Sequence, residues 1–385
     1  MSRSLILLIA ILSSAGCIPQ VSYDYDLQEE ASLLSRVLGN EPETSIDILA
    51  LSPEIRNLLD TKINPRWSTR HRLKKLRELL YSEDQLNIHY DAANTLTATE
   101  AFNARSGNCL SMTSLFIAAA RYVGLDAHFQ TIAVDPTWDY DGNTMIRYEH
   151  IVATGNLAGG ALYVVDFLPE FVLGDMRTNL ISDKEALALY FNNLGAEGVV
   201  DGRIDDAVLN LRHAINLRPQ FSDAWNNMGA AMRRAGEYEL AEFSYHRAIR
   251  QDFTNYSALS NLAQFYHYRG RENEASRFQE RVNRYRSQNP YFHYFHSQLS
   301  FQQGDYTEAR KSLKKSIRLK RNEPDFYIAM AKIHEKMGEE EESLEMLAVA
   351  EKYREGILRA PVRRMNHRFW SMMTIDVNPT KRLRR

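Results

Sequence analysis

Residues Ala224–Ile249 read AWNNMGAAMRRAGEYELAEFSYHRAI. Two runs with apolar residues at helical spacing flank the short break AGE, so the stretch predicts a pair of antiparallel helices. The same pattern stands 34 residues earlier. Phe191 takes the place of Trp225, Leu194-Gly195 of Met228-Gly229, Ile204 of Tyr238, Ala207 of Ala241 and Ala214 of Ala248. Downstream, the small residue returns at Ala275, Ala309 and Ser343, and a turn signal returns each time as DGR, AGE, RGR, QGD and MGE. A small side chain at a fixed position lets two helices cross closely, and a unit that repeats in this way buries its apolar face against its neighbours.

The period and these positions resemble the tetratricopeptide repeat, in five copies from about Ala188 to Arg354, within a repeat region assigned to 182–356. The third copy lacks the terminal proline that the first carries as Pro219, and the fourth has His296 where leucine is usual. The resemblance implies an all-α solenoid with a concave face for an extended peptide or a partner protein. Candidate groove residues on that face are Asn192, Asn226, Arg233, Gln264, Tyr294 and Gln298; they equally suit a solvated polar face with no ligand. The aromatic run Tyr291–His296 suits a peptide-binding spot but reads first as core of the fourth copy. Ser182 and Glu185 have capping-box spacing, which starts the first repeat helix at that point.

Ahead of the repeats the character differs. The segment 17–87 reads as helical, with ASLLSRVLG, PEIRNLLDTKI and TRHRLKKLRELLYS punctuated by Pro42, Pro53 and Pro65. Over 88–181 a nearly all-apolar helix, CLSMTSLFIAAARYVG, precedes three β-like runs, AHFQTIAV, MIRYEHIVAT and ALYVVDF. NLAGG between the last two predicts a hairpin. A buried helix followed by antiparallel strands is an α+β pattern.

This segment carries the candidate chemistry. Cys109 follows Gly107-Asn108 and falls in the first turn of the apolar helix, where the positive end of the helix dipole favours a thiolate. Gly107 is read as room for a substrate backbone. His150 and Asp166 lie on the two strands of the expected hairpin and could serve as base and base-orienting group. The order Cys, His, Asp on helix, strand, strand, and the motif Arg105, Gly107, Cys109 in TATEAFNARSGNCLSMTSLF, resemble the transglutaminase-like superfamily of papain-type enzymes over about Thr95 to Leu168. Val152 stands where many relatives carry an aromatic. That resemblance implies a cysteine-proteinase-type α+β domain with Cys109, His150 and Asp166 as the catalytic set, and it also covers inactive binding modules. Asn108 and Asn103 are candidate side-chain oxyanion donors. Cys109, His128 and His150 lack metal-ligand spacing, and no cofactor is implied.

The ends suggest a compartment. MSRSLILLIAILSSAGC has a basic Arg3, an apolar run Leu5–Leu12 and small residues before Cys17. It reads as a signal segment (1–16), too short to span a bilayer. Ala15-Gly16-Cys17 resembles a bacterial lipobox, with Ser14 where leucine is usual. The resemblance implies lipidation of Cys17 and an outer-membrane position facing the periplasm. The tail, 357–385, is basic, with Trp370 and three methionines. A net charge of −2 over 385 residues argues against bulk nucleic-acid binding. Two functions remain open. One is a lipid-anchored periplasmic thiol hydrolase or acyltransferase whose repeats recruit a peptide or protein substrate. The other is a non-catalytic interaction scaffold.

Overall fold

The computed structural model describes residues 25–39, 45–92, 94–133, 137–138, 145–146, 149–167 and 178–359. The signal segment, Cys17 and the tail beyond residue 359 lie outside the described residues. Among those described, helices predominate. Three come first: α1 (Leu27–Leu38), α2 (Pro53–Lys62) and α3 (Thr69–Tyr81). Then follow β1 (His89–Tyr90), α4 (Ala98–Ala104), β2 (Ser106–Gly107) and α5 (Cys109–Tyr122). The strands β3 (His128–Ala133), β4 (Thr137–Trp138), β5 (Met145–Ile146), β6 (Glu149–Asn156), β7 (Leu162–Val165) and β8 (Thr178–Ile181) complete the first half.

A four-stranded antiparallel sheet in the order β7-β6-β3-β8 packs on α5. The expected hairpin forms, with β6 and β7 joined by a turn in which Gly159 and Gly160 have φ of 93° and 79°. Gly155 is where the chain passes closest to itself. A Cβ there would lie 1.9 Å from the Asp126 carbonyl oxygen, so only glycine fits. Beside the sheet, β1 and β2 form a parallel pair, and β4 and β5 a small hairpin.

The second half is a tetratricopeptide-repeat-like solenoid of five helix pairs. They are α6 (Asp183–Asp201) with α7 (Ile204–Leu217), α8 (Ser222–Arg234) with α9 (Tyr238–Gln251), and α10 (Tyr256–Tyr268) with α11 (Glu272–Gln288). The last two are α12 (Pro290–Gln302) with α13 (Tyr306–Leu319), and α14 (Pro324–Met337) with α15 (Glu340–Arg359). The Ser182–Glu185 capping box starts α6. Ala207, Ala241, Ala275 and Ala309 are buried at the crossings. The glycine inside the first helix of each of the first two pairs is required by its partner helix. A Cβ on Gly195 would sit 2.5 Å from Leu211 Cγ, and one on Gly229 would sit 2.6 Å from the Tyr245 ring. Gly202, Gly236, Gly270, Gly304 and Gly338 turn the chain within each pair at positive φ.

The packing divides the chain differently from the sequence. One hydrophobic core runs from Leu33 through the sheet to Val282, so α1 to α3, the sheet and the first three helix pairs share it. A second, small core of Ala309, Leu313, Phe326, Met330 and Ile333 serves the last two pairs alone. The break falls at α12. Its run YFHYFHSQLSFQ buries only Ser297 fully, whereas α10 buries Leu259, Leu262, Phe265 and Tyr266 among others. Tyr291 and Tyr294 do pack on the second core, but Phe292, His293, Phe295 and His296 stay half-buried.

Two further contacts tie the halves together. Helix α1 lies against α7 and α9, where Glu30 accepts hydrogen bonds from Arg247 at 2.6 Å and Arg250 at 2.7 Å. The β4–β5 hairpin, which lies in the connection from β3 to β6, rests against α10 and α12.

Candidate thiol site and repeat groove

Helix α5 is positioned at its start by a polar relay. Asn108 is its N-cap: the side-chain oxygen accepts from the Ser111 N–H at 3.0 Å, which satisfies one of the free donors of the first turn. The Asn108 amide donates to Thr95 Oγ1 at 2.6 Å, and that hydroxyl donates to Glu197 on α6 at 2.6 Å. Burial raises the Glu197 carboxyl above its ordinary range, against the lowering effect of the Thr95 bond. The asparagine amide thus ties the helix start to the first repeat. Asn103 is exposed on α4. Gly107 leaves no room for a substrate, since a Cβ there would meet Ser111 Cβ at 2.7 Å. The space is taken by the helix itself.

Cys109 is the first residue of α5, half-buried and a free thiol. His150 is buried near the start of β6. The last registered pair of the hairpin is Ala153 opposite Val165. One step further, Asp166 falls opposite Val152, diagonal to His150 on the same face, within reach of a cross-strand side-chain contact. The contact is made: His150 Nε2 and Asp166 Oδ1 are 2.7 Å apart, both side chains sealed from solvent. Burial alone would lower the His150 pKa; the bond to Asp166, its charge and the nearby Cys109 sulfur outweigh it and push the value up to about 9. The structure thus brings together the three residues chosen from the sequence. Arg105, in the same motif, takes the left-handed conformation at φ 57° and stacks on Phe102, with its guanidinium carbon 4.5 Å from the ring centroid.

His128 stands apart, 2.7 Å from Asp126. Among the described residues no group of three or more His, Cys, Asp or Glu is placed to hold a metal ion.

The proposed groove residues fall into two sets. Asn192 and Asn226 are buried and bonded along the first-helix layer: Asn227 donates to Asn192 at 3.0 Å, and Asn261 donates to Asn226 at 2.9 Å. These bonds stitch successive repeats together. Arg233 is half-buried beside Tyr245, and Tyr294 packs on Phe326 with ring centroids 5.1 Å apart. Gln264 and Gln298 are exposed, on the two helices against which the β4–β5 hairpin rests. The sequence reading missed Thr95 and Glu197. Thr95 belongs to an unpatterned connector and Glu197 to a helix 102 residues away, so no local signal joins them.

A family model described as TPR repeat matches residues 298–338. The chain is 30% identical over 73 residues to the chloroplastic tetratricopeptide repeat domain-containing protein PYG7 of Arabidopsis thaliana. That match spans 19% of this chain and 24% of the relative, so the chain covers about a quarter of the relative's length. Among solved structures, a MamA structure has 21% identity and a TM-score of 0.24, covering 44% of this chain and 97% of that one. A structure of pilF from Pseudomonas aeruginosa has 21% identity and a TM-score of 0.27, covering 45% and 78%. Residues 298–338 thus carry a TPR repeat, within the solenoid of helix pairs. The family match lies in the repeats and does not extend to the transglutaminase-like resemblance of residues 95–168.

Proposed function

We propose that the chain is a protein-interaction scaffold that holds a partner through its repeats. The observation that carries this reading is the stack of five helix pairs on one period, within which residues 298–338 match the TPR repeat model. Such a stack exposes a long surface built from successive first helices and is suited to an extended segment of another protein. The lipobox-like start supports a position in the bacterial envelope, at the outer membrane and facing the periplasm, with Cys17 as the anchor. The test is partner recovery by crosslinking in cells. Cys109→Ala should recover the same partners as the parent chain. Ala241→Trp, which wedges the second pair apart, and the surface pair Gln264→Arg with Gln298→Arg, which leaves the fold intact, should lose them. Full recovery by both repeat variants would remove the scaffold reading.

A second reading is favoured by the Cys109–His150–Asp166 contact alone. In it the segment is a transglutaminase-like thiol hydrolase or acyltransferase. Cys109 Sγ attacks a peptide or carboxamide carbonyl while His150 takes the thiol proton. The C–N bond then breaks, His150 returns the proton to the leaving amine, and Asp166 holds the imidazolium throughout. Water or a second amine releases the acyl group. The Cys109 backbone N–H, at a helix start, is the available oxyanion donor. Iodoacetamide alkylation of Cys109 at neutral pH should outpace that of a free thiol, and His150→Gln should remove the advantage. Equal rates in the two proteins would exclude an activated thiol.

A further inference from the structure

Helix α13 carries a feature that neither the repeat groove nor the thiol site uses. Lys311, Lys314, Lys315 and Arg318 recur at spacings of three and four residues and so share one face. With Thr307 and Arg310 they line one shallow surface depression. The charges at its two ends are handled differently. Near the start of the helix, Arg310 pairs with Glu339 at 3.0 Å and Lys311 with Glu308 at 2.9 Å. Further along, Lys314, Lys315 and Arg318 are exposed, and among the described residues no carboxylate pairs with them. The positive field reaches the neighbouring helices. His293 on α12 lies within the influence of Lys315 and Arg318, and Arg286 on α11 stacks on Phe292 at 5.6 Å.

We propose that this face of α13 docks on an anionic phospholipid surface. Three observations select a lipid surface over an acidic protein. The unpaired cations are mostly lysines, flexible point charges that suit a diffuse headgroup field; a planar carboxylate partner favours the arginine fork. Beside Arg318 stands Leu319, 43% exposed, an apolar contact at the edge of the charged face. Finally, the sequence that follows α15, residues 360–385, has the composition of an interfacial segment: seven Lys or Arg, one acid and Trp370. The inference does not depend on the repeat partner or on the thiol.

The test is co-sedimentation of the full chain carrying Cys17→Ser, which removes the acylation site. The vesicles are phosphatidylcholine alone, or an equal mixture of phosphatidylcholine and phosphatidylglycerol, at low salt. Each basic residue at an anionic surface is worth about fivefold in partitioning. The triple variant Lys314→Gln, Lys315→Gln, Arg318→Gln should therefore bind the mixed vesicles about 100-fold more weakly, with the same weak binding to phosphatidylcholine as its parent. The substituted side chains are exposed, and an unchanged melting curve will show that the fold is kept. Equal binding of parent and triple variant to mixed vesicles would overturn the proposal, since the tail or leader would then supply the attraction. So would a parent with no preference for phosphatidylglycerol. Charge-sensitive binding to polyglutamate without binding to vesicles would assign the face to an acidic protein instead.

Discussion

The first three helix pairs and the last two repeat the same unit, yet they are held in different ways. The leading pairs share one core with the sheet and with α1 to α3, reinforced by Glu30 between Arg247 and Arg250 and by Glu197 under Thr95. The trailing pairs have a small core of their own and meet the rest at α12, a helix with one fully buried residue. A common repeat period therefore does not imply common rigidity. Each pair is as firm as the apolar area it buries against its neighbour. The thiol site sits in the firm part, and the unpaired cations of α13 sit in the looser one.

The comparison can be broken most severely at Gly155→Ala. The added carbon meets backbone and not a movable side chain, so the sheet and the core attached to it should lose at least about 4 kcal/mol. Thermal melting checks this, and a near-wild-type melt would mean that the sheet is not part of the shared core.

Next comes Phe326→Ala, which empties the centre of the small core at a cost of about 3–5 kcal/mol. Hydrogen exchange should show protection lost in α12 to α15 and retained in α1 to α11. Uniform loss along the chain would show that the two cores unfold as one.

The third effect concerns pH. His150 has a raised pKa in the folded protein, so its contribution is complete below the unfolded value of 6.5 and is lost as pH rises through about 9. The shift corresponds to about 3 kcal/mol. Melting temperatures should fall over that interval, and Asp166→Asn, which removes the counter-charge, should flatten the slope. A slope unaltered by Asp166→Asn would mean that other groups govern it.

The smallest change is Asn108→Ala, which removes the cap of α5 and should cost about 1–2 kcal/mol. If Asn108 were instead an oxyanion donor, the variant would keep its stability and lose activity.

Much of this organisation was legible in the sequence, for identifiable reasons. The small residues from Ala207 to Ser343 betrayed the repeat because helix crossing tolerates little else at that position. Ser182 with Glu185 announced the start of α6. The NLAGG turn is enough to set His150 and Asp166 side by side. Asn108 stands just ahead of an apolar helix, the signature of an N-cap, and Gly107 serves close packing of Ser111. His296 stands where the repeat favours leucine, but the divided core depends on all the side chains of α12 together. The docking of α1 on α7 and α9 had no sequence signal, since Glu30 and Arg247 are 217 residues apart. The transglutaminase-like reading rests on three residues and a motif, whereas the repeats rest on a period that returns five times. That is why the partner-binding account leads.

The most direct test of that account is quantitative crosslinking recovery from cells expressing the parent chain, Cys109→Ala, or Gln264→Arg with Gln298→Arg. The account predicts that Cys109→Ala retains the parent's partners in full and that the groove variant loses them while melting normally. Loss of partners in Cys109→Ala, with full retention in the groove variant, would contradict it and move the function to the thiol.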